Sequence, residues 1–155
     1  MTDQTSSLAD SLHQWLRDAN IEYYLCNQCN GLHLSSIQGL AGVVESRLFM
    51  EDWGLLISTE YLVRPTAILP LATDLGRLNA NYPTLKLFLD IVDDAMPQLV
   101  AGATALTGAG ISSEQFILFV TTAQDLMTRL TGELGELDFL LPEDGEPTAP
   151  SRQFH

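Results

Sequence analysis

Residues Leu85 to Leu106 restrict the possible folds more than any other stretch, because their hydrophobic period is two. Leu85, Leu87, Leu89 and Ile91 alternate with Lys86, Phe88, Asp90 and Val92, and Asp93-Asp94-Ala95-Met96-Pro97 turns the chain into a second run from Gln98 to Leu106. Successive side chains of a strand point to opposite faces, so this pattern predicts two antiparallel strands joined by a turn. The bulk of Phe88 and Val92 on the polar side predicts that the first strand is partly covered on both faces.

Helical spacing brackets this hairpin. Ser112-Ser113-Glu114-Gln115 has the form of a capping box, and Phe116, Phe119, Val120, Ala123, Met127 and Leu130 follow on one stripe. Upstream, Pro65 suits the first position of a helix continued by Ile68, Leu71, Ala72, Leu75, Leu78 and Tyr82. Pro70 deletes a backbone hydrogen bond there, which predicts a kink or a first turn that is not α-helical. A first helix is expected over Ser7 to Asn20, capped at Ser7-Leu8-Ala9-Asp10, with Leu8, Leu12, Trp15, Leu16 and Ala19 on its apolar side. Between these helices, Glu22 to Cys26 and Leu32 to Leu34 read as short strands, and Gly39 to Gly42 as a link. Val43 to Met50 and Leu55 to Leu62 then form a hairpin turned by Glu51-Asp52-Trp53-Gly54. The expected order is α-β-β-β-β-α-β-β-α, an α+β fold with an antiparallel sheet and flanking helices. One domain is expected over 1–137, which 155 residues and 46% hydrophobic content can supply with a core. From 138 to 155 the chain turns acidic and Pro-rich, which predicts a disordered tail, with Leu137, Phe139, Leu140 and Leu141 able to dock just before it.

Charge narrows the partners. Twenty acidic residues face seven basic ones, a formal net charge of -13. Such a field repels phosphate backbones and anionic lipid, so neither nucleic acid nor membrane is an expected partner. The imbalance is uneven: residues 63–110 carry four acids against three bases, whereas 1–62 and 111–155 each carry eight against two. A protein partner or second subunit meets least repulsion in that middle part. Around the start of the second helix, Leu55, Ile57, Leu62, Val63, Ile68 and Leu69 read first as core and otherwise as a dimer or client surface, with Leu62, Val63, Pro65, Ile68 and Leu69 as its candidates. The opening Met1-Thr2-Asp3-Gln4-Thr5 lacks a basic and then apolar leader, so a cytoplasmic location is expected.

Cys26-Asn27-Gln28-Cys29-Asn30-Gly31-Leu32-His33 holds both cysteines and one of three histidines. For thioredoxin-like work the first cysteine needs a helix N-terminus to lower its pKa, but a strand follows. A closed zinc site needs four ligands. Cys26 and Cys29 supply two, His33 a third only if strand geometry returns its ring to the turn, and a four-cysteine site requires two chains. The favoured reading is therefore inert thiols, buried as small hydrophobes, and no cofactor is expected. Asp90, Asp93 and Asp94 lack the glycine-containing loop of a calcium site, and Gly108-Ala109-Gly110 lacks a P-loop lysine. His13 reads as a boundary residue of the first helix, and His155 lies in the tail. Ser35, Ser36, Ser112 and Ser113 have no base beside them in sequence, so no catalytic set is predicted.

Longer motifs connect these pieces. Cys26-x-x-Cys29 with Leu32-His33-Leu34, then Val63-Arg64-Pro65-Thr66-Ala67-Ile68-Leu69-Pro70-Leu71-Ala72-x-Asp74-Leu75 and Asn79-Ala80, closely resemble the YbjN family of bacterial proteins. The likeness continues through Lys86-x-Phe88-Leu89-Asp90-x-x-Asp93-Asp94-x-x-Pro97-x-Leu99-Val100 and Glu114-Gln115-Phe116, covers most of residues 8–131, and extends to an acidic tail ending in Phe154-His155. The resemblance implies a regulator of sensory transduction linked with stress response and motility, with a fold like that of type III secretion chaperones. Those chaperones are small acidic cytosolic proteins that dimerise and hold partner polypeptides. The implied function is a non-enzymatic, cytosolic, chaperone-like adaptor acting by protein binding, as a homodimer. The alternative from the residues is a metal- or thiol-dependent sensor at Cys26 and Cys29.

Overall fold

The computed structural model describes residues 2–141; the expected tail from 142 to 155 lies outside the described residues. Helix α1 (Thr2–Asp18) leads to strands β1 (Tyr23–Leu25) and β2 (Leu32–Leu34), then a single helical turn α2 (Ser35–Gln38). Strands β3 (Val43–Glu51) and β4 (Gly54–Leu62) form the long hairpin. A 3₁₀ turn (Pro65–Ala67) opens helix α3 (Ile68–Asn81), and β5 (Lys86–Asp90), β6 (Gln98–Leu106) and helix α4 (Ser113–Glu136) complete the order. The fold is α+β, built on one six-stranded antiparallel sheet in the order β1-β2-β3-β4-β6-β5.

The helix boundaries show where local signals decide. Ser112 caps α4 through its side chain while Gln115 returns the bond to the Ser112 backbone, the reciprocal box read from the sequence. Pro65 sits in the 3₁₀ turn, so the first turn is not α-helical and Pro70 falls near the start of α3, where its missing N–H costs little. The expected cap at Ser7 is corrected: α1 begins at Thr2, since no glycine or proline between them stops the helix. α2 is not among the expected elements and fills residues 35–38, between β2 and the expected link at Gly39 to Gly42.

Burial alternates cleanly through the sheet. Leu55, Ile57, Thr59 and Tyr61 of β4 and Leu99, Ala101 and Ala103 of β6 lie on one face, all buried. Against them pack Phe116, Val120, Ala123, Met127, Leu130, Thr131 and Leu134, the inner stripe of α4. Leu12 and Leu16 of α1 and Leu71 and Leu78 of α3 extend the same core, with the Trp15 and Phe116 rings 5.7 Å apart. Each such leucine contributes roughly 2 kcal/mol relative to an exposed position. A buried polar ladder crosses this core: Ser46 bonds Thr59, Thr59 donates to Met127 Sδ, and Tyr61 bonds Thr131.

Among the described residues the opposite face carries no helix. Paired rows run Arg47, Ser58, Gly102 and Lys86; Phe49, Leu56 and Thr104; and Glu45, Glu60, Val100 and Phe88. The expectation that β5 is covered on both faces is therefore corrected. β5 is the outermost strand, Phe88 is exposed, and Ile91 and Val92 lie beyond its end, exposed as well. Its outer edge is closed locally by α3, where Asn79 accepts from Leu87 N–H and donates to Leu87 C=O.

Phe139, Leu140 and Leu141, read from the sequence as able to dock just before the tail, pack on the domain. Arg64 N–H donates to Phe139 C=O, Leu141 N–H donates to Leu62 C=O, and Leu140 pairs with Val63 and is buried. Gly42, at φ 92°, leaves the space that Leu140 fills: a Cβ there stands 2.5 Å from Leu140 Cδ1. Among the described residues no helix is long and apolar enough to cross a membrane.

Candidate functional site

The sheet decides what surrounds the cysteines. β1 and β2 pair so that Tyr24 stands opposite His33, and β2 pairs with β3 so that His33 stands opposite Arg47. These three side chains share the helix-free face, beside the turn that holds both thiols. Cys29 Sγ lies 2.9 Å from Cys26 Sγ and 3.4 Å from His33 Nε2, and the two sulfurs and the ring nitrogen all fall within 4.8 Å of one another. Strand geometry thus does return the His33 ring to the turn. Gly31 makes this possible, because it is buried against β3 and a Cβ there meets the Phe49 ring at 2.9 Å.

The expected burial of the thiols is corrected. Both cysteines are free and half-buried, whereas His33 is only 5% exposed. The turn overhangs the sheet rather than entering the core. The thiol of Cys26, hydrogen-bonded to Cys29, and then the Gly31 backbone, His33 and Arg47 bring the Cys29 thiol down to about 6. Arg47 also pairs with Glu60 at 2.9 Å and lies over the Phe49 ring.

The ring of His33 is held on every side. Tyr24 stacks on it, 4.6 Å between centroids and 8° from parallel. Nδ1 faces Gln38 Oε1 at 3.1 Å and Glu45 Oε2 at 3.2 Å. Gln38 cannot turn its amide round, since its Nε2 donates to Val44 C=O and its Oε1 accepts from Ser46 N–H. Both neighbours of Nδ1 are therefore acceptors, which puts the ring proton on Nδ1 and the lone pair of the neutral ring on Nε2, towards Cys29. Glu45 Oε2 is near the ring without a formed hydrogen bond, and it is otherwise unpartnered. Tyr24, Gln38, Glu45 and Arg47 were not singled out from the sequence, because their relation to His33 exists only through pairing across three strands and the unforeseen α2.

The remaining candidates disperse. Of the proposed surface, Val63 is wholly buried, as are Leu55 and Ile57, while Leu62 and Ile68 are half-buried. Pro65 is exposed, and so is Leu69, at 78%. Asp90, Asp93 and Asp94 are exposed around the β5–β6 turn, with Asp94 at φ 63°, and their carboxylates do not converge into a metal-sized group among the described residues. His13 bonds Tyr23 Oη at 2.9 Å, which also accepts from Arg17. Ser36 accepts from Gln124 and Ser112 is the α4 cap, so both are used structurally.

Comparison with known proteins agrees with this architecture. Residues 8–136 match the family model YbjN, described as "Putative bacterial sensory transduction regulator". "Uncharacterized protein YbjN" of Escherichia coli K12 and its counterpart in Shigella flexneri are each 37% identical over 137 residues, covering 88% of this chain and 87% of theirs. A solved structure, "Crystal structure of YbjN, a putative transcription regulator from E. coli", superposes with a TM-score of 0.81 at 37% identity, over 86% of this chain and 94% of that one. With a family match over most of the domain, relatives aligned nearly end to end and a shared fold, the chain belongs to the YbjN family.

Proposed function

We propose that this chain is a non-enzymatic regulator in bacterial sensory transduction that works in the cytoplasm as a chaperone-like adaptor, holding a partner polypeptide against the uncovered face of its sheet. The observation that carries this reading is the distribution of apolar side chains. Phe49, Leu56, Leu62, Val100 and Phe88 lie on the face that no helix among the described residues covers, half-buried or exposed. An uncovered apolar sheet face of this kind is a surface for a protein ligand. The sheet edges are poorer candidates. β1 has three residues, and at β5 Asn79 already occupies the backbone groups of Leu87.

Regulation enters from the family description "Putative bacterial sensory transduction regulator" and from the description of the E. coli structure as "a putative transcription regulator". With a net charge of -13, direct contact with a phosphate backbone is unfavourable, so an influence on transcription passes through a protein. The non-enzymatic part of this reading rests on the family's description as a regulator; of two hollows, the one of 280 Å³ between β6 and α4 is lined by no titratable group, whereas the one of 580 Å³ beside β1 is lined by Arg17, Glu22, Tyr23 and Tyr24. The same reading takes the chain as a homodimer through Pro65, Ile68 and Leu69, without Val63. A monomer by light scattering at high micromolar concentration refutes the dimer.

The adaptor reading is tested by a photo-crosslinking residue introduced in the native bacterium. At Phe88 or Val100 it should trap a discrete polypeptide; at Leu118, exposed on the outside of α4, it should not. Absence of any adduct at both sheet positions, or the same adducts from Leu118, overturns the assignment.

A further inference from the structure

We propose that Cys26, Cys29 and His33 form a binding site for a thiophilic divalent cation, of which Zn²⁺ is the common representative. The ligand atoms would be the two Sγ and Nε2, already within 4.8 Å of one another. The site does not depend on the adaptor reading and stands or falls on its own measurement.

Three features of the geometry point this way. The first is the donor set: two thiolates and an imidazole are what zinc takes, and among the described residues no other three His, Cys, Asp or Glu side chains converge. The second is spacing. Zn–S bonds of about 2.3 Å and Zn–N of about 2.0 Å place tetrahedral sulfur and nitrogen about 3.5 Å apart, and two sulfurs about 3.8 Å apart. Cys29 Sγ to Nε2 is 3.4 Å, and the sulfurs at 2.9 Å need to part by turning two half-buried side chains at a surface turn.

The third feature concerns the groups behind the ligands. A metal-bound histidine gives its other ring N–H to a carboxylate or carbonyl oxygen, which selects the tautomer and orients the ring. His33 has this arrangement in full: Nδ1–H is aimed at Gln38 Oε1 and Glu45 Oε2, and Tyr24 fixes the ring plane. An imidazole serving only to fill space does not need its free lone pair aimed at two thiols. Arg47 lies beside Cys29 and supplies a positive charge next to the paired sulfurs. Three protein ligands leave one position for an exchangeable group such as water, the pattern of an open site rather than a closed structural one.

The test is Co²⁺ titration of the full chain, reduced and freed of metal by chelator. One Co²⁺ per chain should give sulfur-to-cobalt charge-transfer bands and d–d bands of tetrahedral intensity, and Zn²⁺ should abolish both. Cys26→Ser and Cys29→Ser should each remove most of the charge transfer, and Glu45→Gln should weaken binding about tenfold. Because variants at the turn can unfold, unmodified protein provides an independent readout: Zn²⁺ should slow alkylation of Cys29 by iodoacetamide. Missing charge-transfer bands overturn the proposal. So do bands that survive both cysteine substitutions, alkylation indifferent to Zn²⁺, or a Cys26–Cys29 disulfide that persists under thiol reductant.

Discussion

Replacing Thr131 by valine and Tyr61 by phenylalanine, singly and together, tests how the core holds its buried polar ladder. Thr131 Oγ1 lies 2.6 Å from Met127 C=O and 2.9 Å from Tyr61 Oη. Threonine has one proton to give, and the shorter contact to a carbonyl takes it, so Tyr61 must be the donor to Thr131. Tyr61→Phe then removes one net hydrogen bond and leaves the Thr131 donor satisfied, costing about 1 kcal/mol. Thr131→Val keeps the shape but strands a phenol O–H in a wholly buried position, with Met127 C=O 3.5 Å away and too distant to replace the partner. That costs about 2 kcal/mol, and the double variant about 1 kcal/mol, because nothing polar is left unpaired. The coupling is thus about 2 kcal/mol. Urea unfolding followed by circular dichroism and tryptophan fluorescence measures it; at an m-value of roughly 2 kcal/mol/M, Thr131→Val lowers the midpoint by about 1 M. Burial also pushes the Tyr61 phenol up to about 12. Its folded value lies above its unfolded one, so its contribution is complete below pH 10 and lost as pH rises to about 12, a loss absent from Tyr61→Phe. Additive single costs, or a Tyr61→Phe penalty exceeding that of Thr131→Val, refute the donor assignment.

Other positions give sharp expectations. Gly54 has φ 156°, and a Cβ there would collide with Ala105 C=O in the neighbouring strand, so Gly54→Ala should lower stability by about 3 kcal/mol in the same urea assay. Leu140→Ala should cost about 2 kcal/mol and raise the proteolytic sensitivity of the bond after Leu137, since Leu140 anchors residues 139–141 over Gly42; unchanged proteolysis argues against docking in solution. The iodoacetamide reaction of Cys29 should rise with pH around a midpoint near 6, with the thiolate lost below it, and Cys26→Ala should move that midpoint upwards by removing the largest stabilising hydrogen bond. A midpoint at the ordinary thiol value contradicts the described turn.

Much of the fold was legible because each signal is short-range. The Ser112 and Gln115 box, Pro65 at the head of the 3₁₀ turn and the alternation through β6 all act within a few residues, and all appear where local chemistry places them. Two of the misreadings share a cause. Alternation at Leu87 and Phe88 separates two faces without saying which is covered, and Phe88 proved exposed on an outermost strand. The apolar run from Leu62 to Leu69 crosses a strand end, a 3₁₀ turn and a helix start, so its side chains scatter from the wholly buried Val63 to the exposed Leu69.

At the cysteines, composition and spacing alone established two ligands and a turn, and they favoured inert thiols. The third ligand and its supports came from pairing: β1 on β2 places Tyr24 over His33, β3 on β2 brings Arg47 alongside, and α2 supplies Gln38. Side-chain period follows from backbone geometry and is written locally, whereas convergence depends on register between strands separated by variable turns. The sequence therefore determined the order of the elements apart from α2, the acidic character and the family, and the tertiary structure decided which face stays open and what the thiols meet there.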